Sequence, residues 1–435
     1  MYKKSFYNIE VDKNSEYSLM YNTYSGIFTE LDEEGLEIYN NIENIDEHAA
    51  NIEIIDLMKK AGFIVQEDID EVGQISILRN LSRNDTEAVS LTIAPTMYCN
   101  MACPYCFEKH TKEVMSEETQ HDLVEFVEKY LKGNSCKHLE VTWFGGEPLL
   151  ETQIIYNLSD ALIKICSEND VDYGAGIITN GALLDRETAQ KLRGKKVAFA
   201  QITIDGLKDI HNKRRILKNG EDSFELLISN IEQAKDVMDI NVRINVDSKN
   251  EQDILQLIDY FINDMGWGVN PYFYLAPVDN TSETHANKEK YMINMERFGE
   301  LDTEVAKMQY RLSPDEFRNR LYPLQKHLYC GAERLGQYVV APDGLLYSCW
   351  NKINVKDNNI GSVKTGPVYN YEQTKWLSLD LSDECKACTY LPCCQGGCAY
   401  FRINNKDNYA CCHDLHSYKD KLKFVYENWC LSEQR

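Results

Sequence analysis

The stretch Leu91-Thr92-Ile93-Ala94-Pro95-Thr96-Met97-Tyr98-Cys99-Asn100-Met101-Ala102-Cys103-Pro104-Tyr105-Cys106-Phe107 runs from a short apolar strand into three cysteines spaced C-x3-C-x2-C. Three thiolates offered to a cubane of four irons leave one iron without a protein ligand, and an iron with an open position can bind and reduce a small molecule. A structural zinc site would show two separated cysteine pairs. Here the three are grouped, and Tyr105 and Phe107 beside them could shield a cluster.

Outward from this stretch the chain alternates strands and helices. Strands are expected at Ser90 to Ile93, His138 to Thr142, Tyr173 to Ile178, Val197 to Ile204, Ile240 to Asn245 and Pro271 to Leu275. Helices are expected at about 116 to 132, 151 to 168, 185 to 193, 222 to 237 and 250 to 264. Six strands with five intervening helices predict an α/β fold, an open (β/α)6 partial barrel related to the TIM barrel, with active residues at the carboxyl ends of the strands. The cysteine triplet follows the first strand, as that rule requires.

Before the barrel, residues 1 to 85 read as a small module. Strands are expected at Ser5 to Ile9 and Tyr17 to Tyr21, a turn at Asn22 to Gly26, helices at about 32 to 42 and 46 to 61, and a return strand at Phe63 to Val65. The arrangement is of winged-helix type, and strand edges in such modules accept a peptide as an added strand. After the barrel, residues 326 to 415 hold nine of the fifteen cysteines. A final amphipathic helix is expected at about 415 to 430. The domain boundaries read from this are 1–85, 86–310 and 311–435.

The second strand leads into Trp143-Phe144-Gly145-Gly146-Glu147-Pro148, where Gly145 and Gly146 permit close backbone approach and Glu147 offers a carboxylate. Polar groups recur at later strand ends: Thr179-Asn180-Gly181, Thr203-Ile204-Asp205-Gly206 and Arg243-Ile244-Asn245. Each alone is an ordinary turn or cap, but at the same end of consecutive strands they make a polar rim. His211, Arg214 and Arg215 read as a solvated helix start, with substrate contact as the alternative. The histidines show no metal-binding grouping.

The triplet and the Gly-Gly-Glu-Pro turn together resemble the radical S-adenosylmethionine (SAM) superfamily. The resemblance implies that Cys99, Cys103 and Cys106 hold a [4Fe-4S] cluster whose open iron takes SAM. It places Glu147, with Gly145 and Gly146, at the SAM amino group, Tyr105 beside the cofactor, Thr203 and Asp205 near the ribose, and Arg243 near the carboxylate, with Asn180 a further contact. In the C-terminal stretch, Cys330-x13-Gly344-x4-Cys349, then Cys385-x2-Cys388-x5-Cys394-x3-Cys398 and the pair Cys411-Cys412, is similar to the pattern of SPASM domains. That similarity implies two auxiliary [4Fe-4S] clusters, one on Cys330, Cys349 and Cys398, the other on Cys385, Cys388 and Cys394 with Cys412 or Cys411. Gly336 stands where some members have a further cysteine, so the first auxiliary cluster keeps an open iron or recruits Cys393 or Cys411. Zinc ribbons are the competing account, and Cys136, Cys166 and Cys430 read as packing thiols.

At 435 residues the chain can bury ordinary cores. Fifteen cysteines without a signal peptide or a long uncharged apolar run suggest a reducing cytoplasm. The formal charge of -23 would repel nucleic acid, and nothing suggests a membrane partner. The resemblance implies an enzyme: a maturase that modifies a ribosomally made precursor peptide by hydrogen abstraction with a 5'-deoxyadenosyl radical, forming a thioether or carbon-carbon crosslink. The N-terminal module would bind the peptide's leader, and flavodoxin or ferredoxin would supply electrons. The alternative is an anaerobic sulfatase-maturating enzyme, which generates formylglycine.

Overall fold

The computed structural model describes residues 1–44, 52–278, 292–353, 355–404, 411 and 413–433. They form two compact units, each assembled from separated stretches. One contains Met1–Arg83, Met295–Cys330 and Asp380–Arg435, the other Asn84–Asn294 and Gly331–Leu379.

The first unit opens with strands β1 (Tyr2–Lys4), β2 (Asn8–Lys13), β3 (Ser18–Asn22), β4 (Ile27–Leu31) and β5 (Ile64–Gln66), and helices α1 (Glu33–Asn41), α2 (Ile52–Lys60) and α3 (Glu71–Asn84). Strands β2, β3 and β4 make an antiparallel sheet with β4 at one edge, while β1 pairs with β5. The expected turn forms because Asn22 Oδ1 accepts from the amides of Tyr24 and Ser25, at 3.0 and 2.7 Å. Asp32 caps α1 by accepting from Gly35 N at 2.8 Å. Residues 45–51, where the second expected helix begins, lie outside the described residues.

Strands β1 and β4 and helix α3 were not anticipated. Helix α3 misleads a periodicity reading because its buried face carries Ile75, Arg79 and Arg83 while Ile77 and Leu81 are exposed. Apolar spacing therefore does not mark the side that packs. The same unit is completed by helices Met295–Leu312 and Pro314–Leu321, three short helices among the cysteines, and the last helix, Tyr418–Glu433. Lys421 and Arg320 both bond Asp302 in its interior, at 2.8 and 2.7 Å.

The second unit holds strands β6 (Ala88–Ile93), β7 (His138–Trp143), β8 (Asp172–Thr179), β9 (Val197–Thr203), β10 (Asp239–Val246) and β11 (Tyr272–Pro277), close to the six expected. Between them run α4 (Glu117–Gly133), α5 (Thr152–Glu168), α6 (Arg186–Gly194), α7 (Lys208–Arg214), α8 (Phe224–Ala234) and α9 (Ile254–Asp259). The six strands are parallel and in chain order. Beyond β6 come β12 (Gln337–Val340), parallel, and β13 (Leu346–Tyr347), antiparallel, so the sheet is an open barrel of eight strands. The pairing of β12 with β6 is why residues 331–379 join the barrel. Val339, Ala341, Tyr347 and Ile353 pack against Ala94 and Met97 at the start of the cysteine loop. No described helix is long and apolar enough to cross a membrane.

Candidate functional site

A cavity of about 310 Å³ opens at the carboxyl ends of the barrel strands, walled by residues from the loops or ends of all six: Cys99, Gly145, Asn180, Thr203, Arg243 and Val278 among them. The pleat explains why polar groups reach it. On β10 the residues Ile240, Val242, Ile244 and Val246 are fully buried, and the intervening Arg243 and Asn245 turn to the cavity.

Cys99, Cys103 and Cys106 all border this cavity. Their loop is held by Ala102 N donating to Ile216 O at 2.8 Å, Lys218 N to Asn100 O at 2.9 Å and Lys218 Nζ to Cys99 O at 2.7 Å. Burial pushes the Cys99 thiol up to about 11 and Cys106 up to about 12, and also raises Cys103. Thiols so desolvated become thiolates when a metal takes the proton's place. Among the described residues no three Cys, His, Asp or Glu side chains are gathered tightly enough for a single ion. Three thiols bordering one cavity would leave one iron of a four-iron cluster without a protein ligand.

The Gly-Gly-Glu-Pro turn is bonded directly to the cysteine loop. Phe144 N donates to Ile93 O, Gly146 N to Thr96 O and Glu147 N to Tyr98 O, at 2.9, 3.1 and 2.8 Å. Gly145 has φ +118°, and a Cβ on Gly146 would sit 2.3 Å from Tyr98 O, so only glycine permits this approach. Glu147 is fully buried beneath the wall. Its Oε1 accepts from Thr179 Oγ1 at 2.7 Å and Leu149 N at 2.9 Å, and its Oε2 from Asn180 N at 2.7 Å. The carboxylate thus anchors the loop after β8, while Asn180 Nδ2 reaches Asn100 Oδ1 at 2.6 Å.

Behind the cavity lies a buried polar network. Tyr105 donates its hydroxyl to Asp205 Oδ2, and Arg215 Nη1 donates to the Tyr105 oxygen at 3.0 Å. Asp205 Oδ1 accepts from Asn245 N at 3.1 Å, and Arg214 pairs with Asp247 at 2.8 Å and faces Asp205 at 3.6 Å. His211 Nδ1 lies 3.3 Å from Asp205 N; burial first, then Arg215 and Arg214, hold its imidazole well below the usual value. A neutral ring therefore accepts that bond. Thr203 and Arg243 face the cavity, and Asp205 stands behind Tyr105. The reading of His211, Arg214 and Arg215 as a solvated helix start is corrected: all three are buried, because α7 turns its basic residues onto the carboxylates of Asp205 and Asp247. Arg215 reaches the cavity wall. The signal was present in the pairing of these basic residues with the Asp205-Gly206 turn.

Glu108, 7% exposed, also lines the cavity. Burial, and secondarily the Glu147 carboxyl, raise it well above the usual 4.5. Its proton is held more tightly in the folded than in the unfolded chain, so the stability it contributes is complete below the unfolded value and is lost as pH rises through the folded one. The cluster-free protein should therefore lose thermal stability as pH rises above the usual carboxyl range. Glu108→Gln should flatten that slope; scanning fluorimetry across the range would refute the assignment if both slopes were equal.

Residues 93–261 match the model of the Radical SAM superfamily. Those residues form a radical SAM domain, and the chain is an enzyme. It is 25% identical over 376 residues to the cysteine-type anaerobic sulfatase-maturating enzyme of Clostridium perfringens, covering 78% of this chain and 96% of that one. It is 28% identical over 250 residues to the radical SAM cyclopropyl synthase TigE of Paramaledivibacter caminithermalis, covering 53% and 49%. Among solved structures, native anSMEcpe with bound AdoMet and Cp18Cys peptide superposes with TM-score 0.61 at 22% identity, covering 78% of this chain and 97% of that one. Streptococcus suis SuiB bound to precursor peptide SuiA does so with TM-score 0.53 at 17% identity, covering 93% and 97%. These two likenesses establish the fold.

The remaining cysteines of the chain fall in both units. Cys349 is half-buried in the barrel unit, just after β13, and Cys136 and Cys166 are buried there. In the other unit Cys330, Cys385, Cys388 and Cys398 are half-buried, Cys394 is buried and Cys411 exposed. Cys412 lies outside the described residues. Cys393 is fully buried, with its Sγ 3.4 Å from Thr23 O and 3.6 Å from Pro323 O.

Proposed function

We propose that this radical SAM enzyme matures a ribosomally made precursor peptide, installing a thioether or carbon-carbon crosslink in the cytoplasm, with the N-terminal module binding the leader. The observation that carries the reading is that module's sheet: β4 is an edge strand with Ile27 39% exposed, open to an added strand. The precursor-bound SuiB likeness, which extends over 93% of the chain, supports it.

When bound, a reduced [4Fe-4S] cluster and SAM supply the 5'-deoxyadenosyl radical that abstracts a substrate hydrogen. The chain's own residues divide the other work. Cys99, Cys103 and Cys106 would hold the cluster, while Gly145, Gly146 and Asn180 would bind the methionine end of SAM, Arg243 its carboxylate and Thr203 the ribose. Glu147, Asp205 and Tyr105 keep these loops in place through the bonds described above. The walls exclude water from the reacting atoms. The cysteines of the C-terminal region hold auxiliary clusters, and flavodoxin or ferredoxin provides electrons.

The second reading, formylglycine formation on a sulfatase, is favoured by the Clostridium perfringens relative. One experiment separates the two. Anaerobically reconstituted enzyme is given SAM, reductant and either a leader-bearing peptide encoded beside its gene or a leaderless sulfatase peptide, and the products are mass-analysed. Loss of two hydrogens with two residues covalently joined in the fragment spectra supports crosslinking; loss of two hydrogens with a cysteine sulfur exchanged for oxygen, or loss of two hydrogens at a serine that then reacts as an aldehyde, supports formylglycine. Ile27→Asp should weaken binding of a labelled leader several-fold under the first reading and change nothing under the second.

A further inference from the structure

We infer that Arg79, in the N-terminal module, is a positioning residue for the loop between Cys394 and Cys398, so that this module helps to set the geometry and potential of the auxiliary clusters those two cysteines serve. The inference rests on the proposal that the C-terminal cysteines hold such clusters.

The buried face of α3 brings Arg79, 3% exposed, against that loop, where its Nη1 donates to the backbone carbonyl of Gln395 at 2.9 Å. Gln395 is the strained point. It is 1% exposed and adopts φ +53° and ψ +29°, and Gly396 and Gly397 follow at φ +82° and +68°. A residue bearing a Cβ is sterically disfavoured in that region. It stays there only where its surroundings over-determine it. Gln395 N donates to Leu391 O at 2.8 Å and Gly397 N to Cys394 O at 3.0 Å, which fixes the amides. Arg79 fixes the carbonyl between them. Gly396 admits no side chain, since a Cβ would lie 3.0 Å from both Leu381 Cδ2 and Arg402 Nη1. Every residue separating the two cysteines is therefore left-handed, and releasing the Gln395 carbonyl would move both thiols.

The contact around Arg79 is broad. Tyr7 and Ile75 of the module share one apolar cluster with Leu381 and Leu391, and Thr23 O accepts from Cys393. Charge adds to geometry. A guanidinium fixed next to an anionic, thiolate-ligated cluster favours its reduced and more negative state, so removing the charge lowers the potential.

The test uses full-length Arg79→Gln and Arg79→Lys, reconstituted anaerobically with iron and sulfide. Iron is counted, and potentials are read by EPR-monitored redox titration. The wild type should hold roughly twelve irons per chain. Arg79→Gln should lower the potential of one auxiliary signal and bind that cluster less tightly, leaving the SAM-dependent change in the site-cluster spectrum intact. Arg79→Lys, which keeps the charge but not the fork, should recover part of the potential with altered g-values. A full iron complement with unchanged auxiliary potential in Arg79→Gln overturns the inference alone. Should that variant not fold, an Arg79→Lys auxiliary spectrum identical to wild type overturns it equally. Only about four irons in the wild type would remove the auxiliary-cluster reading, and the inference with it.

Discussion

Cys106→Ala is expected to abolish SAM cleavage altogether. The substitution leaves two thiols, Cys99 and Cys103, on the cavity wall, too few to hold a four-iron cluster against exchange with solvent thiols. Iron per chain should fall by roughly four, with any auxiliary clusters retained, and deoxyadenosine should become undetectable by chromatography after anaerobic incubation with dithionite. Cys166→Ala is the matched control. That thiol is more deeply buried but packs at the end of α5, away from the cavity, so its loss should cost only stability, about 1 kcal/mol, and leave deoxyadenosine release near wild type. Equal activity in the two variants would be incompatible with the site described here.

Asp205→Ala should be the most destabilising single change in the barrel. Asp205 is 0% exposed and accepts from Tyr105 and from the Asn245 amide, with the buried Arg214 guanidinium 3.6 Å away. Truncating it leaves the Tyr105 phenol without its acceptor in the interior and the Arg214 guanidinium with Asp247 as its remaining carboxylate. Removing one member of such a buried pair costs about 3–5 kcal/mol. At 2–4 °C per kcal/mol for a unit of this size, the cluster-free protein should melt roughly 10 °C lower. Tyr105→Phe deletes one bond and keeps the ring, so its penalty should be much smaller. Because Tyr105 lines the cavity, the alanine variant should also bind SAM more weakly by equilibrium titration, even at temperatures where it remains folded. A melting point within a degree or two of wild type would show that the network is not the clamp its geometry indicates.

Legibility differed between the two units for physical reasons. The six barrel strands could be placed from apolar runs such as Ile240 to Val246, since a parallel strand covered on one face and half-covered on the other writes its burial into the local sequence. Helix α3 could not, because its inward face is built from arginines whose partners, such as the carbonyl of Gln395, lie far along the chain. Glu147 shows the same limit within the site. Its place after two glycines marked it as functional, but only the fold reveals that its two oxygens are engaged by Thr179, Leu149 and Asn180. Likewise His211, Arg214 and Arg215 look like solvent-facing residues until the two carboxylates opposite them are seen.

By itself, the order of residues determined the chemistry on offer and the α/β class: a run of three cysteines after a strand, a glycine pair one β/α unit later, and polar residues recurring at strand ends. Such features are set by neighbours a few positions apart, and so they survive in one dimension. Only the tertiary structure decided which polar groups are spent on holding the site and which face the cavity, and that β12 draws residues 331–379 into the barrel. Those outcomes depend on which distant segment arrives to satisfy a buried donor, acceptor or sheet edge, and no local pattern carries that information.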